Sequence, residues 1–393
     1  MGEPSVVIGV TGPFGSGCTE VSKHLEAKGF FRYRMSSPIS TIATERGISK
    51  DSRDDMQTIG DELRQGNGAA HLANIAIKRV EAEQADMVVL DGLRNSAEIL
   101  ALQRRFANFY TIAVQAERDT RYQRVKKKMG LHEDVFNRAD ARDRDEGEAW
   151  GQQVRQCTDM ADMVLQNDKN LDLSALGLAE ALWARVDRFV ALMTGPGREA
   201  LQDQELHMSL AANASLRSMC IGRQVGAVIT SDVGEVLSVG YNEVPRGDRP
   251  CITVYGECFR KRERARLTTV CSACKKEFAG AACPECHALI DANDLPSKNL
   301  DLCRALHAEE SAVLQLAKLA GPSPVGGTIF TTTFPCMLCA KKIVAVGIRK
   351  VFYIDPYPVE QARMVLTDGG VEVVPFEGVK AHALHRLFRR ASA

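Results

Sequence analysis

Ser5-Val6-Val7-Ile8-Gly9-Val10-Thr11-Gly12-Pro13-Phe14-Gly15-Ser16-Gly17-Cys18-Thr19 is the stretch that decides how the first half of the chain folds. Its apolar run is typical of a buried strand in a parallel sheet. The glycines that follow allow backbone N–H groups to turn toward an anion, and the start of a helix favours negative charge. This order of strand, glycine loop and helix predicts a phosphate-binding loop. Its candidate residues are Gly12, Gly15, Ser16, Gly17, Cys18 and Thr19.

Cys18 stands where the usual phosphate-binding pattern has a lysine. That lysine supplies positive charge to the β- and γ-phosphates, which a cysteine cannot do. Thr19 keeps the hydroxyl that would meet a magnesium ion. We therefore expect a nucleoside triphosphate with Mg²⁺ to bind here for sensing or regulation rather than for phosphoryl transfer. A loop that no longer binds nucleotide is the alternative.

Further short apolar runs follow at Met87–Leu90, Tyr110–Val114 and Asp162–Leu165, with helical patterns at Ala69–Gln84 and Ala97–Phe106 between them. Strands separated by helices indicate a parallel sheet with helices on both faces. The first half therefore belongs to the α/β class.

The first half resembles the P-loop nucleoside monophosphate kinases along most of its length. Asp91-Gly92-Leu93-Arg94-Asn95 follows an apolar strand and looks like their second acidic element, while Arg118–Arg124 and Asp140–Asp145 resemble their charged lid. The resemblance implies that Asp91 belongs to the nucleotide site.

Length and local breakers predict two domains, because a typical domain has roughly 100–200 residues. A long amphipathic pattern at Leu171–Met193 is broken by Thr194-Gly195-Pro196-Gly197. We expect a first domain over residues 1–195 and a second over 196–393, with an insert at about 258–298.

The composition is that of a globular protein, with 393 residues, 45% hydrophobic and 25% charged, which excludes disordered and collagen-like classes. Lys+Arg and Asp+Glu are both 50, and a net charge of zero argues against a protein whose whole surface binds nucleic acid. No apolar run approaches the roughly 20 residues of a membrane span. We expect a cytoplasmic protein without membrane contact, whose 12 cysteines are metal ligands rather than disulfides.

Two separated motifs in the second half indicate a catalytic zinc site. His307-Ala308-Glu309 opens a helical pattern, and Pro335-Cys336-Met337-Leu338-Cys339 follows a strand-like run. Together they match the zinc-deaminase signature. His307, Cys336 and Cys339 would hold Zn²⁺ and leave its fourth position open for a water molecule. Glu309 would carry protons, whereas a purely structural site would usually be closed by a fourth ligand.

Residues around these motifs resemble the deoxycytidylate deaminases from about Leu206 to Phe376. The resemblance is carried by Arg223-Gln224-Val225-Gly226-Ala227-Val228-Ile229 and by Gly240-Tyr241-Asn242-Glu243-Val244-Pro245-Arg246-Gly247. It implies that Asn242 bonds the sugar and that Arg223 approaches a phosphate. Tyr353-Ile354-Asp355-Pro356-Tyr357 could place an aromatic ring, Tyr357 above all, beside the base, although core packing is the alternative for either tyrosine.

A second metal site is predicted from Cys271-Ser272-Ala273-Cys274 and Cys283-Pro284-Glu285-Cys286. Two C-x-x-C pairs joined by a short loop are a strong signal for a closed Cys₄ zinc site, which folds a segment too short for its own core. The basic segment Arg260–Arg266 precedes it. That segment could contact RNA, DNA or polyphosphate, or be a solvated helix.

The predicted architecture is an N-terminal P-loop NTPase-like sheet with flanking helices. It is followed by a C-terminal cytidine-deaminase-like α/β/α sandwich with a Cys₄ zinc-knuckle insert. This combination resembles the bacterial antiviral cytidine deaminases, also described as anti-phage dCTP deaminases. The resemblance implies deamination of dCTP or dCMP, depletion of phage DNA precursors, control by RNA or nucleotide, and a homo-oligomer. Three alternatives are a housekeeping dCMP deaminase, a polynucleotide cytidine deaminase and a non-catalytic RNA-binding sensor.

Overall fold

The computed structural model describes residues 3–49, 52–144, 147–168, 176–195, 200–266, 269–271, 274, 276–278, 285–286, 303–355 and 360–389. Its strands are β1 (Val6–Thr11), β2 (Phe31–Arg34), β3 (Met87–Leu93), β4 (Phe109–Gln115), β5 (Met163–Gln166), β6 (Gly226–Thr230), β7 (Val236–Tyr241), β8 (Thr269–Val270), β9 (Glu277–Phe278), β10 (Thr328–Thr333), β11 (Lys350–Asp355), β12 (Glu372–Pro375) and β13 (Gly378–Val379).

The helices of the described ranges are α1 (Cys18–Ala27), α2 (Ser37–Glu45), α3 (Arg53–Asn67), α4 (His71–Glu83), α5 (Ser96–Arg105), α6 (Arg118–Met129), α7 (Glu133–Arg144), α8 (Val154–Met160), α9 (Leu176–Thr194), α10 (Asp203–Ser215), α11 (Cys251–Tyr255), α12 (Phe259–Arg266), α13 (Ala308–Leu319), α14 (Met337–Ala345), α15 (Glu360–Asp368) and α16 (Ala381–Arg389). None of them is long and apolar enough to cross a bilayer.

Contacts divide the chain into two compact units. Unit 1 comprises Met1–Leu201 together with Glu377–Ala393, and unit 2 comprises Gln202–Phe376.

Unit 1 is built on a six-stranded sheet with the order β13-β5-β4-β1-β3-β2. Strands β1 to β5 are all parallel, as the alternation of strands and helices predicted. β1 is buried throughout and lies between β3 and β4, so its carboxyl end faces the point where the strand order reverses. In open α/β sheets that point is where ligands bind, and the glycine loop begins there.

The C-terminal segment returns to unit 1, whereas the sequence analysis assigned residues 377–393 to the second domain. β13 pairs antiparallel with β5. Ala383, Leu384 and Leu387 of α16 pack into the same apolar cluster as Phe189 of α9. Burial of this apolar stripe holds the segment in unit 1.

Unit 2 is an α/β/α sandwich, as predicted. Its sheet has the order β12-β11-β10-β6-β7, in which β10, β11 and β12 are parallel and β6 is antiparallel to both of its neighbours. Helices α13, α14 and α15 contribute to the apolar cluster on one face of the sheet. Met208 and Ala211 of α10 pack with Val228, Phe330 and Phe376 in a second cluster.

Gly240 lets α13 approach β7 very closely. A Cβ atom at Gly240 would lie 2.2 Å from the carbonyl oxygen of Ala308 and 2.5 Å from the backbone nitrogen of Ala312. Such distances are shorter than van der Waals contact, so only glycine fits. This contact fixes the distance between α13 and the sheet, and therefore the position of the His307 motif at the start of α13.

Candidate active site

His307 and Glu309 are positioned by the N-terminal turn of α13. His307 is the N-cap, and its backbone N–H donates to the carboxylate of Glu310 at 3.5 Å. Glu310 also accepts a hydrogen bond from Nζ of Lys342. Glu310 therefore caps the helix, while the neighbouring Glu309 is buried, with 5% of its surface exposed. The two adjacent acids therefore have different surroundings.

Cys336 and Cys339 approach His307 from α14, of which Cys336 is the N-cap. Nδ1 of His307 lies 3.2 Å from Sγ of Cys336 and 3.4 Å from Sγ of Cys339. Zinc bonds of about 2.0 Å to nitrogen and 2.3 Å to sulfur place tetrahedral ligand atoms roughly 3.5 Å apart. All three ligand atoms lie within 4.8 Å of one another, so this set fits a zinc ion.

The two thiols of this group have pKa values shifted in opposite directions. Hydrogen bonds from Cys339 and His307 lower the pKa of the Cys336 thiol, which favours its thiolate, whereas the hydrogen bond to Cys336 and burial raise the pKa of Cys339. Burial raises the pKa of the Glu309 carboxyl, and the nearby His307 opposes that shift. A carboxyl group with a raised pKa holds and releases a proton more readily near neutral pH.

A cavity of about 260 Å³ opens beside these residues. His307, Glu309 and Cys336 line it together with Arg223, which the sequence analysis assigned to a substrate phosphate. The Arg223 guanidinium forms an ion pair with Asp355 at 2.7 Å. Its charge is therefore partly balanced before any ligand arrives, and the phosphate contact stays a prediction.

Asn242 also lines the cavity, but both ends of its amide are already bonded. Its Oδ1 accepts from the backbone N–H of Val225 at 2.7 Å, and its Nδ2 donates to the carbonyl oxygen of Arg223 at 2.8 Å. Asn242 therefore fixes the backbone that carries Arg223. The predicted bond to a sugar stays a prediction.

Of the two tyrosines considered for stacking, Tyr353 is a core residue. It is 5% exposed, packs edge-on against Phe334 with ring centroids 4.9 Å apart, and belongs to the main apolar cluster of unit 2. Phe334 itself lines the cavity. Tyr357 lies outside the described residues, so its place beside a base stays a prediction.

Three cysteines of the insert converge on a second candidate metal position. Cys271, Cys274 and Cys286 place their sulfur atoms within 4.8 Å of one another, and Sγ of Cys271 lies 3.5 Å from Sγ of Cys286. Tetrahedral zinc bound by thiolates separates sulfur atoms by roughly 3.8 Å, so this set also fits zinc. Cys283, the predicted fourth ligand, lies outside the described residues.

The glycine loop of unit 1 has the backbone its sequence predicts. Gly15 and Gly17 have φ angles of 84° and 105°, a region that disfavours other residues. The Cys18 thiol is buried beneath the loop, 3.4 Å from Oγ of Ser16, and burial raises its pKa to about 11. Cys18 is therefore neutral and contributes no charge to an anion site.

Positive charge reaches this loop from other elements. A cleft of about 760 Å³ is lined by Gly15, Ser16, Gly17, Cys18 and Thr19, whereas Gly12 is not among its lining residues. The basic residues that line the cleft are Arg53, Arg94, Arg124, Lys127 and Lys128. Five cations around a glycine loop favour a polyanionic ligand.

Asp91, which resemblance assigned to the nucleotide site, does not line this cleft. Its carboxylate pairs with Arg32 at 2.6 Å and is largely buried. Arg94 lies closer to the loop, since its Nη1 donates to the carbonyl oxygen of Gly12 at 3.1 Å. The strand that ends near Asp91 therefore supplies a cation to the loop rather than a free carboxylate.

Family models match both units. The model described as "Cytidine and deoxycytidylate deaminase zinc-binding region" matches residues 201–355, and the one described as "AAA domain" matches residues 8–167. A deoxycytidylate deaminase of Saccharomyces cerevisiae is 35% identical over 172 residues, which are 43% of this chain and 43% of that protein. One of Schizosaccharomyces pombe is 28% identical over 217 residues, covering 54% and 53%. The chain spans about half the length of these curated relatives.

A UPF0200 protein of Methanothermobacter thermautotrophicus is 32% identical over 143 residues, which are 36% of this chain and 72% of that protein. Over this stretch, the chain belongs to the UPF0200 family. A second UPF0200 protein, from Methanoculleus marisnigri, is 29% identical over 167 residues and is covered over 89% of its length. The chain thus carries UPF0200 sequence together with a deaminase zinc-binding region.

Arg260 and Lys261 are site residues whose position the sequence analysis missed. Both line the cavity that holds Glu309. Their basic run was recognised, but it was assigned to nucleic acid, polyphosphate or solvent. The charge of a segment can be read from the sequence, whereas the cavity that the segment reaches depends on the fold of the insert.

Proposed function

We propose that this chain is a zinc-dependent hydrolase that deaminates deoxycytidine nucleotides, dCTP or dCMP, to the corresponding deoxyuridine nucleotides. The observation that carries the proposal is the convergence of Nδ1 of His307 with the sulfur atoms of Cys336 and Cys339 beside the buried Glu309. The match to a deaminase zinc-binding region supports it.

The residues of the cavity fit hydrolytic deamination. Zinc, when bound, lowers the pKa of a water molecule so that it becomes a nucleophile near neutral pH. Overall, water adds to C4 of the base, the bond from C4 to the amino nitrogen breaks, and ammonia leaves. Glu309 would take one proton from the water and deliver it to ring N3, and it would then take the second proton from the new hydroxyl on C4 and give it to the departing amine.

Glu309→Ala tests this assignment. We expect the variant to keep its zinc and to lose roughly 10²–10⁴-fold in turnover, the usual contribution of a positioned acid–base group. Glu310→Gln is the matched control, because glutamine can still cap the helix and Glu310 faces Lys342 rather than the cavity. Ammonia release and zinc content are measured on the same preparations. Deamination at the parent rate by Glu309→Ala would contradict the proposal.

A substrate panel separates the alternative functions. Preference for dCMP over dCDP and dCTP would favour a housekeeping dCMP deaminase. Activity on cytosine-containing oligonucleotides without activity on free nucleotides would favour a polynucleotide deaminase. Absence of ammonia release from every cytidine compound, with zinc present, would favour a non-catalytic RNA-binding sensor.

We propose antiphage defence by nucleotide depletion as the biological role, on the resemblance to anti-phage dCTP deaminases. Phage plating efficiency and deoxycytidine nucleotide pools are compared in cells that express the parent chain or Glu309→Ala. Loss of dCTP and of plaques with the parent alone supports the role, and equal plating contradicts it.

The cleft at the glycine loop supports a regulatory nucleotide site in unit 1. Calorimetry of the full chain with ATP, GTP and deoxynucleotides, with and without Mg²⁺, tests it. No measurable binding would leave a structural role for this unit. Regulatory RNA and a homo-oligomer, both implied by resemblance, are tested by electrophoretic mobility shift and by sedimentation.

A further inference from the structure

The helix α12 of the Cys-rich insert reaches the candidate active site. Arg260 and Lys261 from this helix line the same cavity as His307 and Glu309. Both precede the convergent cysteines in the chain, so the insert contributes side chains to the cavity as well as a metal position.

The cations of this region differ in how they are engaged. Arg223 is paired with Asp355 at 2.7 Å. On α12 itself, Arg262 pairs with Glu263 at 3.2 Å and lies over the ring of Tyr255, 4.2 Å from its centroid. Arg262 therefore has a structural role in the helix.

Arg260 and Lys261, in contrast, form no ion pair with an acidic residue in the described ranges. Two cations that no acidic residue of the described part of the chain pairs with raise the potential of the cavity they line and attract an anion. Guanidinium groups bind phosphate oxygens through paired N–H donors, and an ammonium group binds them as a point charge. The positions of Arg260 and Lys261 in the cavity therefore favour a ligand with more phosphate groups than the one that Arg223 could bind.

We infer that Arg260 and Lys261 bind the β- and γ-phosphates of a deoxycytidine triphosphate, so that the insert selects triphosphate over monophosphate. This inference rests on the proposed deaminase function. With the base at Glu309, the phosphate chain would extend into the same cavity, whose lining includes three cations among the described residues, Arg223, Arg260 and Lys261. Each phosphate after the first adds negative charge that Arg223 alone cannot balance.

Steady-state kinetics with dCMP, dCDP and dCTP test the inference on the full chain. The variants are Arg260→Gln, Lys261→Gln and the double variant. For the double variant we expect kcat/KM for dCTP to fall at least about 10-fold, the loss of one or two charge-assisted hydrogen bonds. For dCMP it should change less than about threefold. Lys318→Gln is the matched control, because Lys318 is exposed on α13 and lies outside the cavity lining.

Equal losses for dCTP and dCMP, or no loss, would overturn the inference. Zinc content equal to the parent's shows that each variant keeps its metal sites. If the double variant kept dCTP turnover and lost affinity for a single-stranded oligonucleotide, the two cations would serve a polynucleotide instead, which also overturns it.

Binding of inorganic tripolyphosphate, measured by calorimetry on a Lys127→Glu/Lys128→Glu background, separates failure of this inference from failure of the proposed function. Both lysines are exposed and line the cleft at the glycine loop, so reversal of their charges weakens anion binding there without a change in the core of unit 1. At least about 10-fold weaker binding in the double variant supports the inference even if the parent deaminates no substrate. Unchanged binding overturns it even if deamination is confirmed.

Discussion

Arg94 and Asp143 form an ion pair next to the glycine loop, in which the Asp143 carboxylate is fully buried and the Arg94 side chain is 19% exposed. Nη1 of Arg94 lies 2.7 Å from Oδ2 of Asp143 and also donates to the carbonyl oxygen of Gly12. Oδ1 of Asp143 accepts a second guanidinium, that of Arg53, at 2.6 Å. Burial alone would raise the pKa of Asp143, but the charges of Arg53 and Arg94 hold it below its usual value. One carboxylate thus orients two cations in the cleft where the lysine is missing.

Removal of this carboxylate should destabilise unit 1. We expect Asp143→Ala to lower the free energy of unfolding by about 3 kcal/mol, because two largely buried guanidinium groups lose their counter-charge. Both tryptophans, Trp150 and Trp183, lie in unit 1, so their fluorescence during urea unfolding monitors this unit.

Asp54→Ala is the control for that measurement. Asp54 pairs with Arg142 at 2.9 Å, but its side chain is 86% exposed. Exposed pairs contribute about 0–1 kcal/mol, so the control should unfold near the parent midpoint. A similar decrease in the free energy of unfolding for Asp143→Ala and Asp54→Ala would show that the ion pairs of Asp143 have no special stabilising role.

The sequence contained enough information to predict the parallel sheet of unit 1 and the ligand set of unit 2. Apolar runs such as Val6–Val10 have a period and length that specify buried strands, and zinc chemistry restricts both the type and the spacing of its ligands. His307, Cys336 and Cys339 could therefore be predicted as candidate ligands without coordinates, and their ligand atoms lie within 4.8 Å of one another.

Other features depend on tertiary structure and were not predictable. β13 has two residues, which are too few for any periodic pattern. The sequence of α16 is amphipathic, but an amphipathic pattern does not indicate which unit the helix packs against. Likewise, the motif around Asp91 predicts a site residue, but the carboxylate of Asp91 forms an ion pair with Arg32 from another strand. In each case the deciding partner is distant in sequence.

The C-terminal helix should make unit 1 sensitive to acid. The buried Asp162 accepts the backbone N–H of Thr111 at 2.8 Å and a hydrogen bond from Arg386 of α16. Burial raises the pKa of Asp162, but hydrogen bonds and charges from His382 and Arg386 bring it below its usual value. A depressed carboxyl pKa contributes stability above the unfolded value of about 3.9, and that stability is lost as pH falls through the folded pKa.

Arg386→Gln should therefore destabilise unit 1 at neutral pH and move its acid unfolding midpoint to higher pH. Tryptophan fluorescence between about pH 7 and pH 2 measures the shift, over the range in which carboxyl groups titrate. Lys23→Gln, which removes only an exposed pair with Glu20, should leave the midpoint unchanged. An unshifted midpoint in Arg386→Gln would show that α16 does not control the charge of Asp162.

Gly240→Ala should displace the helix that carries the zinc ligand. The added methyl group would overlap the backbone of Ala308 and Ala312 in α13. Overpacking of this kind typically costs about 1–3 kcal/mol. We expect a lower unfolding temperature for unit 2 in calorimetry and partial loss of zinc. Gly66→Ala, where nothing lies within 4 Å of the added methyl group, should keep both the parent's stability and its zinc. Full zinc occupancy in Gly240→Ala would contradict this account.

The two ligand groups should bind metal independently. They lie on different elements, Cys271 and Cys274 in the insert, and His307, Cys336 and Cys339 at the starts of α13 and α14. With one zinc ion in each ligand group, the parent would hold two per chain. We expect Cys274→Ser to hold one and to keep some deamination of dCMP. Cys339→Ser should also retain one zinc but lose turnover, because its remaining metal lies in the insert. Elemental analysis with activity assays on the same preparations distinguishes the two. Loss of both metals from Cys274→Ser would instead show that the insert must fold before the catalytic ligands can converge.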